Sequence, residues 1–173
     1  DGGGGRQVFN IAELTPLSDA SLPVELIFDE SFWSESQIIG STTDDRLEGG
    51  VNDDTIEGGV GDDVLVGGAG DDTLTGGAGK DKFVFQMTEA FGFGHDAITD
   101  FDSTDDTIEV YSADGLRVGL SELISSTDAE GNRILSTEDG RSSVILRDVG
   151  DDVQSATPFS IGATALSNGG GSF

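Results

Sequence analysis

Five aspartates recur at a nine-residue interval between Gly40 and Val84: Asp45, Asp54, Asp63, Asp72 and Asp81. Four of them directly follow another acid, Asp44, Asp53, Asp62 or Asp71, while Lys80 stands before the last. Carboxylates at a constant period gather on one side of a chain that coils with that period. Such a set suits a hard cation that takes six to eight oxygen ligands at about 2.3–2.6 Å. Magnesium fits less well, because it demands a stricter octahedron and keeps its waters. Acids on a disordered or merely solvated surface would be scattered. These keep phase with glycines.

The elements that must position the acids follow from the rest of the period. In register the stretch reads GSTTDDRLE, GGVNDDTIE, GGVGDDVLV, GGAGDDTLT and GGAGKDKFV. The eighth place holds Leu47, Ile56, Leu65, Leu74 and Phe83. Glycines fill the first, second and fourth places: Gly49, then Gly58, Gly59, Gly61, Gly67, Gly68, Gly70, Gly76, Gly77 and Gly79. They permit positive φ and close approach of one backbone to another. Asn52 takes the fourth place of the second repeat and tolerates the same conformation. Six residues are therefore expected to turn tightly and three to form a short strand, the eighth-place side chain facing opposite to its neighbours.

Two repeats make one coil, and stacked coils set repeats eighteen residues apart side by side in parallel. Sixth-place carboxylates then meet the glycine carbonyls of the turn one coil away. Pairing first with third, second with fourth and third with fifth gives about three oxygen cages. Ser41 and Thr43 replace glycines in the first repeat and weaken its turn, as Lys80 weakens the last. After an insertion at Phe85 to Ala90, FGFGHDAIT at 91–99 returns to the register with Asp96 at the sixth place. Asp106, Ile108 and Glu109 then fit a turn one residue longer.

The repeats GGVGDDVLV and GGAGDDTLT resemble the calcium-binding nonapeptides of RTX proteins, whose pattern is GGxGxDxUx with U a large apolar residue. The resemblance implies an all-β fold, a right-handed parallel β-roll (β-helix) with calcium between its turns. It also implies export by a type I secretion apparatus, directed from the carboxyl-terminal end. The run from Asp96 to Asp102, DAITDFD, resembles the segment that closes RTX repeats in serralysin-type proteases. That likeness makes Asp96, Asp100 and Asp102 candidates to complete the last cages, against a plain solvated acidic turn.

The flanks divide the chain into a linker and cap at 1–39, the array with its degenerate closing repeats at 40–110, and a C-terminal region at 111–173. Asp1 to Gly5 reads as a flexible linker. Val8, Ile11, Ala12 and Leu14 come at helix-like intervals ended by Pro16, and Val24 to Phe28 reads as a strand. Phe32, Trp33, Ile38 and Ile39 supply apolar cover for the first coil, or a binding surface. Asn132 to Thr137 and Ser142 to Leu146 read as an antiparallel hairpin joined through Asp139-Gly140, placed to cap the open end of the array. Leu116 to Ile124 fits strand or helix, and the SNGGGSF terminus reads as a mobile tail near a secretion signal.

Composition narrows the partners. A formal net charge of -26 disfavours nucleic acid and anionic membranes. No cysteine is present, so disulfides and thiolate metal sites are excluded. No apolar run approaches the roughly 18 to 20 residues of a membrane span. The only Met is Met87, which points to a processed product or a piece of a longer chain.

Catalytic constellations do not assemble. His95 is the sole histidine, so no HExxH zinc site exists, and no GxSxG elbow occurs. Gly79-Lys80 lacks the spacing of a phosphate loop, and Asp100 to Tyr111 lacks the Gly and Glu of an EF-hand. Asp62 and Asp63, adjacent on a strand, point apart rather than forming a glycosidase dyad.

The expected function is thus a non-enzymatic calcium-binding module that folds on calcium outside the cell and supports type I secretion and stability of a secreted or surface protein. Two alternatives stand beside it. In one, a calcium-stiffened surface element binds a protein or glycan partner; in the other, the chain is the C-terminal part of a larger secreted protease, lipase or epimerase.

Overall fold

The computed structural model describes residues 7–10, 25–27, 36–87 and 92–147. In chain order its strands are Gln7–Asn10 (β1), Glu25–Ile27 (β2), Ser36–Ile39 (β3), Arg46–Gly50 (β4), Thr55–Val60 (β5), Val64–Gly68 (β6) and Thr73–Ala78 (β7). There follow Lys82–Gln86 (β8), His95–Ile98 (β9), Thr107–Tyr111 (β10), Arg117–Val118 (β11), Ile124–Thr127 (β12), Arg133–Ser136 (β13) and Ser143–Leu146 (β14). A 3₁₀ turn at Leu120–Glu122 is the helical element among the described residues, and none is long and apolar enough to span a membrane.

From β1 to β10 successive strands alternate between two sheets, one ordered β1-β3-β5-β7-β9-β14-β13-β12 and the other β11-β10-β8-β6-β4-β2. Within the array every neighbour pair is parallel: Arg46 lies beside Val64, Val64 beside Lys82, and Thr55 beside Thr73. This is the eighteen-residue coil of two repeats, wound as a parallel β-roll. Beyond it the step lengthens to 24 residues between Asp72 and Asp96, because of the insertion, and to 25 between Asp81 and Asp106, because the following turn is one residue longer.

The eighth-place side chains make the core. Leu47, Leu65, Phe83 and Ile108 stack in one sheet, and Ile38, Ile56, Leu74, Ile98 and Leu146 in the other. All are buried, because each strand sends alternate residues inward and the opposing sheet covers them. Phenylalanines finish the lower end: Phe85 and Phe93 have ring centroids 5.2 Å apart, and Phe83 and Phe101 6.1 Å apart. These separations are typical of tilted aromatic pairs.

Two features depart from the expectations. The strands are longer than three residues, as in Thr55–Val60, since parallel pairing runs on through Gly59 with Gly77 and Val60 with Ala78. Around Val8 the chain is strand β1 rather than helix, because pairing with β3 outweighs the helix-like spacing. The expected turn-like interval at Ile11 to Leu14, and the cover by Phe32 and Trp33, lie outside the described residues. The predicted hairpin β13–β14 forms at the carboxyl end of the array, where β14 pairs in parallel with β9 and prolongs that sheet. Leu116 to Ile124 holds β11, the 3₁₀ turn and the first residue of β12.

Candidate metal centre

The sixth-place acids end each turn just before the strand enters the core, so their side chains point inward between coils. Asp45, Asp54, Asp63, Asp72, Asp81 and Asp96 are all buried, Asp96 completely. They form two columns, one along each edge of the roll. In the first, the Asp45 N–H donates to Oδ1 of Asp63 at 2.8 Å, Asp63 N–H to Asp81 at 3.0 Å, and Asp81 N–H to Asp106 at 2.9 Å. In the second, Ser36 N–H donates to Oδ1 of Asp54 at 2.7 Å, Asp54 N–H to Asp72 at 2.8 Å, and Asp72 N–H to Asp96 at 2.9 Å. Each carboxylate thus uses one oxygen to hold the coil before it.

The other oxygen is the chemically open one. Oδ2 of Asp63, of Asp72 and of Asp96 is buried and accepts no hydrogen bond. A buried carboxylate oxygen without a donor costs several kcal/mol unless a cation or a proton compensates it. No three acidic or histidine side chains converge on one point among the described residues. A cation here must therefore draw on main-chain carbonyls as well as carboxylates.

First-place glycines form the wall beside each open oxygen. A Cβ on Gly67 would overlap the Asp72 carboxylate, one on Gly76 the Asp81 carboxylate, and one on Gly58 would lie 2.5 Å from Oδ2 of Asp63. On Gly49 it would fall 2.6 Å from Oδ2 of Asp54 and 2.5 Å from the Gly67 carbonyl. Second- and fourth-place glycines bring carbonyls of adjacent coils together. Gly59, Gly68 and Gly77 abut the carbonyls of Ser41, Gly50 and Gly59, while Gly61, Gly70 and Gly79 crowd Thr43, Asn52 and Gly61. Gly68 shows why no other residue serves, since its φ is 116° and a Cβ would strike the Gly50 carbonyl.

Burial without compensation sets the electrostatics. It pushes the Asp63 carboxyl up to about 6, Asp72 to about 7 and Asp96 to about 9, with neighbouring acids of the columns adding to the rise. Asp81 and Asp106 are raised by the same desolvation. Main-chain N–H donors oppose it but do not cancel it. The columns are built to hold positive charge, and in its absence they favour protons.

The closing segment separates its three candidate acids. Asp96 joins the second column. Asp100 instead accepts from Gly76 N–H at 2.9 Å and Gly77 N–H at 2.8 Å, sealing the last regular turn. Asp102 is exposed and accepts from the Thr104 hydroxyl and N–H at 2.7 and 2.8 Å, which hold its carboxyl below the ordinary range. Asp106 takes the sixth place in the first column, and its longer turn is the sequence signal for that. A further set went unassigned in the sequence. Fifth-place acids make exposed ladders, Asp62 N–H donating to Asp44 at 2.9 Å and Asp71 N–H to Asp53 at 2.8 Å, continued by Lys80 N–H on Asp62 and His95 N–H on Asp71. Their position directly before Asp45, Asp54, Asp63 and Asp72 was the available clue.

Comparison with known proteins agrees with this geometry. The RTX calcium-binding nonapeptide repeat family matches residues 37–65 and 57–84. No curated protein sequence matches the chain. Among solved structures, the chain is similar to the solution structure of the AlgE6R3 subunit from the Azotobacter vinelandii mannuronan C5-epimerase. It is 27% identical to that subunit at a TM-score of 0.51, over 91% of this chain and 93% of that one.

Proposed function

Residues 37–84 are RTX calcium-binding nonapeptide repeats, and on that premise we propose that this chain is a calcium-dependent folding module of a secreted or surface protein. One observation carries the reading: carboxylate oxygens of Asp63 and Asp72 are buried without a donor, beside glycine walls that admit nothing larger than hydrogen. A carboxylate with carbonyls is the donor set of calcium rather than of zinc or copper. About three ions would sit between coils. Asp63 would serve with the turn 40–45, Asp72 with 49–54, and Asp81 with 58–63. Asp45, Asp54, Asn52 and the turn glycines complete the oxygen sets.

Calcium supplies the positive charge that lets these carboxylates be both buried and ionised. The residues do the rest. Oδ1 atoms fix the coil spacing, glycines keep carbonyls within reach, and the aliphatic stacks close only once the turns are ordered. In a calcium-poor cytosol the chain would stay open, as a type I exporter requires. At ~1 mM calcium, a site with a Kd of ~0.1 mM contributes roughly 1.4 kcal/mol by mass action. Several coupled sites reach several kcal/mol, comparable with a domain's whole stability.

A second reading is favoured by the likeness to the epimerase subunit: the roll as a non-catalytic part of a larger enzyme. Assaying the full product of the encoding gene for epimerase activity decides between them. The ligand assignment is tested by calcium titration of Asp63→Asn, Asp72→Asn and the exposed control Asp139→Asn. The first two should weaken binding and the control should not. Equal effects from all three would defeat it.

A further inference from the structure

We infer that the segment Pro158 to Leu166 adds to the free edge of β12 as an antiparallel strand, extending an apolar strip on the outer face of the longer sheet and closing that edge to other chains.

The two sheets end unequally. The longer one continues past β9 through β14, β13 and β12, while the other stops at β11. Among the described residues β12 pairs with β13 alone, and all four of its residues are exposed. Such an edge turns main-chain N–H and C=O groups outward and is a template for another strand. The outer face of this sheet also changes character along its length. Over the array it carries Thr55, Glu57, Thr73 and Thr75. At the carboxyl end Ile145 pairs with Ile134, and Ile124 lies diagonal to Ile134, which has Ser126 opposite it. Ile134 and Ile145 are half-buried, whereas Ile124 is 53% exposed. The strip lacks its next member.

The sequence supplies one. Phe159, Ile161, Ala163 and Ala165 alternate with Ser160, Gly162 and Thr164, the period of a half-buried strand. Pro158 suits the first place of a strand, where a ladder N–H can be spared. Chain direction favours the antiparallel sense. Leu146 lies level with Arg133, and Arg133 with Thr127, so the chain leaves β14 at the Thr127 end of β12. Reaching the position beyond β12 takes three strand spacings, about 14 Å. Residues 148–157 can span up to about 33 Å, and Asp148, Asp151 and Asp152 suit a solvated crossing. Charge selects this occupant over a second copy. At a formal net charge of -26 two copies repel, and Glu122 and Asp128 flank β12 in the sequence. Residues 153–173 hold no charged side chain.

The test is hydrogen exchange on the full chain in millimolar calcium. Amides of 159–165 and the outward-facing amides of β12 should be protected together. Ile124→Asp changes an exposed residue and leaves the core intact; it should speed exchange of 159–165 about tenfold, with 45–66 unchanged. Ile161→Asp should do the same to the outward amides of β12. Ser172→Asp adds the same charge outside the strand and should alter neither. Exchange of 159–165 at the unstructured rate in the unaltered chain overturns the inference, as does protection that survives both isoleucine substitutions. An equal effect from Ser172→Asp overturns it too, since charge alone would then explain the change. So does protection of β12 without protection of 159–165 in a chain that sediments as a dimer, because a second copy then holds the edge.

Discussion

Replacing Asp72 by Asn should have opposite effects with and without calcium. Asn fills the same volume and keeps an oxygen for the Asp54 N–H, which donates to Asp72 at 2.8 Å. What it removes is charge. In the fold without cation, burial raises the Asp72 carboxyl from 3.8 to about 7. Because the folded value lies above the unfolded one, the chelated fold is favoured below about pH 4 and loses that advantage as pH rises through about 7. By pH 8 the ionised group costs roughly 4 kcal/mol, and water entering the column brings this to roughly 2 kcal/mol. The Asp72→Asn protein should therefore gain about 1 M in its urea midpoint in chelator at pH 8, given a slope near 2 kcal/mol/M. Sucrose can be added equally to both proteins to hold the wild type folded. In millimolar calcium the same variant should lose one ion and melt earlier than wild type. A loss of similar size in both conditions would refute the reasoning, for it would make Asp72 a hydrogen-bond acceptor and nothing more.

Other outcomes follow from the same geometry. In chelator, acidification from pH 8 to pH 5 should raise strand content, since Asp63, Asp72 and Asp96, at about 6, 7 and 9, take up protons as the chain folds. In calcium the same acidification should lower calcium affinity, because protons and the ion compete for one set of oxygens; circular dichroism with calcium titration reads both. Gly67→Ala, whose Cβ overlaps the Asp72 carboxylate, should abolish a calcium site. Gly140→Ala, with open space and a φ of 69°, should cost only about 1 kcal/mol and no calcium affinity. Leu74→Ala, fully buried in the stack between Ile56 and Ile98, should cost about 2–5 kcal/mol in thermal melts in calcium, and a cost below 1 would show the core to be looser than its packing.

The period carried most of what could be read in advance. Strict spacing of Leu47, Ile56, Leu65, Leu74 and Phe83 named the core, and the in-phase acids named the columns, because coil stacking converts sequence distance directly into contact. Asp96 was legible for the same reason once the insertion was set aside. Asp106 was legible as the sixth place of a turn one residue longer and joins the first column, whereas Asp102, suggested by the closing-segment likeness alone, stays in the exposed turn bound to Thr104. Val8 misled because helix-like apolar intervals carry no information about an open strand edge nearby. Asp100 holds main-chain N–H groups of Gly76 and Gly77, a partnership set by where the chain crosses and not by any period. The fifth-place ladders were hidden by their own regularity. The period gave Asp44, Asp53, Asp62 and Asp71 no role apart from the acids beside them, yet each caps an N–H one coil on.

The central property is the roll's need for its ion. Far-UV circular dichroism of the full chain at pH 7.5 should show strand content in millimolar calcium, its loss on adding chelator, and its return with calcium but not with equal magnesium. A strand spectrum unchanged by calcium removal would contradict the claim that these buried carboxylates were built around a cation.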